Sequence, residues 1–277
     1  MNIKNKVLFE LTKKSLGYNK KFSGIHHGEG CYIFGNGASL KYFDLKNFDD
    51  QIAISCGSLF LHRDFNKINV KYYYEGHPFF YYPYWKNPYK GNIEINDYGA
   101  FHKSKVYSSE NIEFFCSLSN FFGIRGKNIH YVHHFDKPFD GYLNSRLDKC
   151  FTSMASGLSG MLGLALYLGF TEITFVGYDY GFFPQSQGHF YEYGKFSDTR
   201  NPVPNNESRI VSAIETANLR VITPNENYQG HIVPSVSYKD YTGEDPYYRE
   251  NYELCEDADL VAMDNCKMNY KIFPDTL

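Results

Sequence analysis

The sequence lacks three features that would assign the chain to a class at once. Its 277 residues contain no C-x-x-C pair, no apolar run long enough to span a bilayer, and no basic excess, because the formal net charge is −3. The second absence argues against a transmembrane helix, and the third against a nucleic-acid partner. Since no secretory signal precedes the six cysteines, we expect reduced, mostly buried thiols in a cytoplasmic protein.

Residues with the spacing of a metal site are also scarce. Adjacent histidines occur at 26–27 and 133–134, but neighbouring side chains of an extended chain point to opposite faces. Asp257 and Asp259 form a D-x-D in an acidic stretch that follows no strand, and such carboxylates are common on solvated faces. We therefore expect no metal and no bound cofactor.

Aromatic and basic residues are what the chain has in plenty. It contains 26 Tyr and 24 Phe, and tyrosine suits wet clefts because it offers an apolar ring and a hydroxyl. Residues 1–29 form a basic segment, and its first 22 residues contain six lysines and one glutamate around a few apolar residues. This segment is either a solvated arm or a short amphipathic helix on an anionic membrane surface.

Strand-like and helix-like segments alternate along the chain, which predicts a Rossmann-like α/β fold with a mostly parallel sheet flanked by helices. The predicted strands lie in CYIFGNGASL, QIAISCGS, VKYYYEG, SKVYSS, NIHYVHHF, TEITFVGYD and NLRVITPN. The helices lie in SGLSGMLGLALYLG and NNESRIVSAI. Gly157, Gly160 and Gly163 recur in the first of these, so we expect it to press a bare face onto the sheet.

The domain organisation follows from the same pattern. Residues 30–235 form the predicted catalytic domain, and residues 236–277 an acidic, Tyr-rich extension that packs on it. Within the domain, residues 181–206 are too long for an ordinary connection and are rich in Gly, Tyr and Pro. We expect an ordered lid or binding loop there.

The G-N-G turn after the first strand is a candidate nucleotide site. Ligands bind beyond the carboxyl ends of parallel strands, where Gly35 and Gly37 would let backbone N–H groups approach a phosphate. Asn36 and Ser39 would add side-chain hydrogen bonds. The motif is shorter than G-x-G-x-x-G, so an ordinary structural turn is the alternative.

A second rim of the same cleft is predicted between a helix start and a strand end. Ser156 would cap the helix and Gly157 would admit a ligand to its N-terminus, while Asp179 would project from the following strand. Simple capping by Ser156 and a turn-stabilising role for Asp179 are the alternatives. Glu75 and His77, after the third strand, are expected either to line the site or to form a turn.

These segments resemble the bacterial sialyltransferases that use CMP-sialic acid. The resemblance covers roughly residues 30–60 and 150–225, through YIFGNGASL, the S-G before the apolar helix, and the G-x-D of VGYDYGF. It implies that Asn36 contacts the nucleotide and that Ser156 lies near the donor. Gly57, beside Ser58, stands where that family has an asparagine. Pterin pyrophosphokinases and glycosylation factors for nine-carbon acidic sugars share a similar core.

The predicted lid contains the chemistry of sugar transfer without a metal. Such transfer needs a base for the acceptor hydroxyl and donors for the departing phosphate. The resemblance implies that His189 is the base and that Tyr180 and Tyr191 hold the phosphate. A histidine suits this role because its usual pKa is near 6.5.

Together these features predict a glycosyltransferase that moves an acidic sugar from a CMP-sugar to a surface glycan or glycolipid, such as lipopolysaccharide or capsule. Contact with a membrane surface and formation of a homo-oligomer are compatible with the sequence. Two alternatives stay open: a Mg²⁺-dependent pyrophosphokinase or phosphotransferase on the same core, and a non-catalytic nucleotide-binding protein of glycan assembly.

Overall fold

The computed structural model describes residues 3–86, 91–134, 141–152, 157–178, 188–195, 207–224 and 233–274. Its strands are β1 (Gly30–Phe34), β2 (Ile52–Cys56), β3 (Val70–Glu75), β4 (Tyr84–Lys86), β5 (Ile93–Ile95), β6 (Glu113–Ser117), β7 (Ile129–Val132), β8 (Glu172–Val176), β9 (Asn218–Thr223) and β10 (Ser235–Ser237). Its α-helices are α1 (Ile3–Gly17), α2 (Asp97–Tyr107), α3 (Gly157–Leu168), α4 (Glu207–Ile214), α5 (Tyr238–Thr242), α6 (Asn251–Leu254) and α7 (Asp257–Asn265).

The main sheet has eight parallel strands in the order β10-β9-β8-β1-β2-β3-β6-β7. The chain runs outward from β1 to β7, returns to the other side of β1, and runs outward again from β8 to β10. The strand order therefore reverses between β1 and β8, where open α/β sheets bind ligands. This confirms the predicted Rossmann-like α/β class.

Apolar side chains cover both faces of this sheet. Along β1, Tyr32 and Phe34 belong to one buried cluster, and Cys31 and Ile33 to the other, as the alternation of a strand requires. The second cluster includes the apolar side of α3, and the first includes residues of α6 and α7. The predicted boundary at residue 235 falls at the start of β10, so the sheet itself continues past it.

The N-terminal basic segment includes a helix that packs on the sheet edge. In α1, Thr12 and Leu16 are buried, and the ring of Phe9 lies 5.0 Å from that of His133, just after β7. Leu11 points outward and is exposed.

None of the described helices combines the length and the apolar character that crossing a membrane requires. All six cysteines are free thiols, three of them buried.

Two local predictions were wrong or incomplete. SKVYSS was predicted as a strand, but its first four residues belong to α2, because Asn96 caps that helix by accepting from the N–H of Gly99 at 2.8 Å. Strand β6, which lies beside the edge strand β7, and the β4–β5 hairpin were not predicted. After the G-N-G turn the chain forms a 3-10 helix, Ala38–Tyr42.

The predicted close contact of α3 with the sheet is confirmed. A Cβ placed on Gly160 would overlap the ring of Tyr74 in β3, and that ring is fully buried beside Phe151. Glycine is therefore required by space, since the helix could not otherwise approach β3 so closely.

We expect Gly160→Ala to lower the free energy of unfolding by about 1–2 kcal/mol, because overpacking outweighs the gain in helix propensity. Gly17→Ala is the matched control: its backbone is helical, and a Cβ there meets no atom within 4 Å. Urea unfolding of both variants measures the difference. A Gly160→Ala protein as stable as the control would contradict the close contact.

Candidate functional site

A cavity of about 460 Å³ opens at the carboxyl ends of β1, β2 and β3, against the N-terminus of α3. The described residues that line it are Asn36, Cys56, Gly57, Tyr74, Glu75, Gly76, His77, Pro78, Trp85, Tyr98, Gly157, His189, Tyr191 and Tyr270. The cavity thus lies at the carboxyl edge of the parallel sheet, on the β2–β3 side of the point where the strand order reverses. Five of the residues predicted for nucleotide binding or catalysis line it: Asn36, Gly57, Gly157, His189 and Tyr191.

The G-N-G turn is fastened to the end of β8. The N–H of Gly35 donates to the carbonyl of Val176 at 2.8 Å, and that of Gly37 to Gly177 at 2.9 Å. A Cβ on Gly35 would overlap the carbonyl of Gly177. The glycines therefore allow two backbone segments to touch at the point where the strand order reverses, and both N–H groups are used within the protein.

Asn36 joins the turns that follow β1 and β2. Its side chain donates to the carbonyl of Cys56 at 3.1 Å and accepts from the N–H of Ser58 at 2.9 Å. Gly57 lies between these two partners with φ +63°, and a Cβ there would overlap the Asn36 amide. Both conditions require glycine at this position.

Other residues predicted for the site either are not among the described lining residues or lie outside the part of the chain that the structure describes. Ser39 and Ser58 are buried and are not among the described lining residues. The hydroxyl of Ser58 lies 2.9 Å from the Tyr98 hydroxyl and 3.2 Å from Nε2 of His102. Burial lowers the pKa of His102 to about 4, so this imidazole is neutral near pH 7. Ser156, Asp179 and Tyr180 lie outside the described residues, as does most of the predicted lid.

His189 lies next to the G-N-G turn and is paired with a carboxylate. It forms an antiparallel bridge with Gly37, and its Nδ1 lies 2.6 Å from Oε1 of Glu192. The same oxygen accepts the backbone N–H of His189 at 2.9 Å. The imidazole stacks on Tyr191 with 4.9 Å between ring centroids and meets the edge of Tyr270 at 5.2 Å. These contacts fix the ring's position at the cavity.

A second histidine–carboxylate pair follows β3. Oε1 of Glu75 accepts from the backbone N–H of His77 at 2.9 Å and lies 2.6 Å from its Nδ1. Burial acts to raise the pKa of Glu75, but the charge and hydrogen bonds of His77 lower it overall. Attraction to the Glu75 carboxylate raises the pKa of His77. Both residues line the cavity, as one of the two sequence interpretations expected.

Lys41 holds the His189 segment in place. Its ammonium, only 1% exposed, donates to the carbonyls of Glu192 at 2.6 Å and Gly194 at 2.8 Å, and to the Glu250 carboxylate at 2.7 Å. Glu250 also accepts from the N–H of Gly194 at 3.0 Å. The G-N-G side of the cavity, the His189 segment and the start of α6 therefore meet at one buried charge.

Several residues of this arrangement carried no sequence signal. Lys41 and Glu250 lie 209 residues apart, and Tyr270 reaches the cavity from near the C-terminal end. Glu192 could have been found from its i, i+3 spacing to His189. Among the described residues, no group of three or more His, Cys, Asp or Glu side chains is arranged to hold a metal ion.

The chain is structurally similar to two solved transferases. The first is a glycosyltransferase, MAf, from Magnetospirillum magneticum AMB-1, with 12% identity, a TM-score of 0.44 and 94% of this chain covered. The matched region is 42% of that protein. The second is the sialyltransferase CstII from Campylobacter jejuni, solved with cytidine-5'-monophosphate, with 16% identity, a TM-score of 0.42 and coverage of 88% of this chain and 99% of that one.

No protein-family model matches the sequence, and no curated protein matches it.

We expect Lys41→Met to lower the free energy of unfolding by about 3 kcal/mol, because it leaves the Glu250 carboxylate without its buried partner. Lys46→Met is the control, since Lys46 is 52% exposed and 3.8 Å from Asp44, and its loss should cost under about 0.5 kcal/mol. Chemical unfolding measures both.

The double variant Lys41→Met/Glu250→Gln distinguishes the contribution of the ion pair to stability from that of side-chain packing. It should recover part of the loss, because no charge is then left unpaired. If Lys41→Met and Lys46→Met lowered the free energy of unfolding equally, the conclusion that Lys41 holds the His189 segment in place would be contradicted.

Proposed function

We propose that this protein is a glycosyltransferase that moves an acidic sugar from a CMP-sugar to a hydroxyl of a surface glycan or glycolipid, such as lipopolysaccharide or capsule. The donor class rests on the sequence resemblance around the G-N-G turn and the S-G helix start. In this proposal the enzyme acts in the cytoplasm, near the membrane that carries a lipid-linked acceptor, and the reaction inverts the anomeric centre without a metal.

The His189–Glu192 pair beside the G-N-G turn is the observation that carries the proposal. With the proton of Nδ1 directed at Glu192, Nε2 is the nitrogen that takes up the proton of an acceptor hydroxyl. Glu192 stabilises the imidazolium that forms. A base held at the rim of a nucleotide-sized cavity, on the carboxyl side of a parallel sheet, fits transfer between a nucleotide sugar and a hydroxyl.

The step is a direct displacement. The acceptor oxygen attacks the anomeric carbon as the bond from that carbon to the phosphate oxygen breaks, so CMP leaves and the acceptor proton moves to His189. Tyr191 is nearly fully buried and lines the cavity, and burial raises the pKa of its phenol, so the hydroxyl stays protonated. We assign it, together with Tyr180, to donation toward the departing phosphate.

Ligand specificity is tested by thermal unfolding with CMP, CDP, UDP, GDP and ATP, each with and without Mg²⁺. A ligand that binds the native state raises the melting temperature. We expect a shift with CMP that does not depend on Mg²⁺. A shift with ATP and Mg²⁺ alone would overturn the donor assignment in favour of the pyrophosphokinase alternative.

The role of His189 is tested by turnover with CMP-sialic acid and a panel of glycan acceptors. We expect His189→Asn to lower kcat by about 10²- to 10⁴-fold, the usual contribution of a positioned base, with the Kd for CMP unchanged. Glu192→Gln should lower kcat less. His27→Asn is the control, since that histidine is exposed and is not among the cavity's described lining residues. Full turnover by His189→Asn would refute the assignment.

A further inference from the structure

The charges around the cavity are unusual for a site that receives a phosphorylated sugar. None of the described lining residues is Lys or Arg. The described part of the lining contains one carboxylate, Glu75, which is only 4% exposed, and two groups able to carry positive charge, His77 and His189. A buried carboxylate would repel an anion unless a neighbouring cation neutralises it.

His77 is positioned to be that cation. Its Nδ1 faces Glu75, so Nε2 lies on the opposite edge of the ring, and the side chain is 45% exposed at the cavity. In the part of the chain that the structure describes, Nε2 has no hydrogen-bond partner. The backbone is held as well, because Asn120 donates to the His77 carbonyl at 3.0 Å. The ring packs 5.8 Å from Phe80 and 6.4 Å from Trp85, measured between centroids.

Other titratable groups of the cavity surround this pair, and they include the His189–Glu192 pair across the cavity. From α2 come His102, whose pKa burial lowers to about 4, and Tyr98; from β2 and β6 come Cys56 and Cys116, whose thiol pKa values burial raises. Tyr74, Tyr81, Tyr191 and Tyr270 complete the phenols near the cavity. Because attraction to Glu75 raises the pKa of His77, this imidazole keeps its proton to a higher pH than the imidazole of a free histidine does.

The hydroxyl of Tyr74 is an independent sign of a ligand. Tyr74 is 1% exposed and lines the same cavity, yet within the described residues its hydroxyl has no hydrogen-bond partner. Burial raises its pKa well above the usual value, so the group remains a donor. Buried polar groups without a partner are rare in native proteins, and a bound acceptor oxygen would satisfy this one.

We propose that His77, held by Glu75, binds an anionic oxygen of the donor through Nε2–H, with the Tyr74 hydroxyl as a second donor. This inference rests on the proposed function for the identity of the ligand. The anion is either the phosphate of CMP or the carboxylate of the transferred sugar. His189 and His77 then have separate tasks: the first removes a proton, and the second holds negative charge.

Calorimetric titration from pH 5.5 to 8.5 with cytidine, CMP and CMP-sialic acid distinguishes the two anions. Because the phosphate of CMP itself titrates at about pH 6, each affinity is compared with that of His77→Asn at the same pH. A phosphate contact makes the advantage of the unaltered protein for both CMP and CMP-sialic acid fall as the pH rises through the pKa of His77, while cytidine shows no difference. A sugar carboxylate contact produces that fall for CMP-sialic acid alone. His77→Asn should lower the affinity for the affected ligand by about 10- to 100-fold and remove the pH dependence that His77 gives to that affinity.

Three variants sharpen the test. Glu75→Gln keeps the side chain's size but removes the charge, so the pKa of His77, followed by NMR of its ring, should fall. Tyr74→Phe should weaken binding of the same anionic ligand that His77→Asn weakens. His27→Asn should change neither the affinity for that ligand nor the pKa of His77. Unchanged affinity of His77→Asn for CMP and CMP-sialic acid, with cytidine-nucleotide binding intact, would overturn the inference.

Inorganic pyrophosphate separates failure of this inference from failure of the proposed function. If no cytidine ligand binds but pyrophosphate shifts the His77 ring resonances, and His77→Asn abolishes its binding, the anion site stands and the donor class is wrong. If neither pyrophosphate nor any cytidine ligand binds at the cavity, both are overturned.

Discussion

The buried ammonium of Lys41 is the interaction on which the site depends. It neutralises Glu250 and satisfies two carbonyls of the segment that carries His189, so three distant parts of the chain meet at one charge. Burial lowers the pKa of this lysine, yet the hydrogen bonds to Glu250 act in the opposite direction. A charge removed from water is stable only when its partners are complete. The His189 segment is therefore held by electrostatics as well as by its own packing.

Close backbone contacts form the second constraint. At Gly35 and Gly57 a side chain would overlap Gly177 or Asn36, and at Gly160 it would overlap Tyr74. These contacts draw the turns after β1 and β2, the end of β8 and the helix α3 together around the cavity. Packed interiors do not absorb an added methyl group without strain. The shape of the cavity thus follows from the absence of side chains as much as from their presence.

The sequence predicted the sheet well because each central strand is an apolar run that ends in glycine or a polar residue. The position of the G-N-G turn and the approach of His189 to it were also within reach, since both follow from strand ends meeting at one edge. Asn36 was expected to contact a nucleotide; it lines the cavity, and its side chain also joins the turns after β1 and β2. The segment SKVYSS was misassigned because its first four residues form the last turn of a helix that begins at Asp97, outside the segment. The Lys41–Glu250 tie and the place of Tyr270 depend on contacts across most of the chain, which no local pattern encodes.

The route of the chain around the cavity has a consequence for synthesis on the ribosome. The walls from β1, β2 and β3 are made first, whereas Glu250 and Tyr270, which fasten and close the site, are among the last residues described. A nascent chain that has already paired these strands still has an open site and an uncompensated lysine beside it. Assembly of the site is therefore completed only after the final helices have emerged.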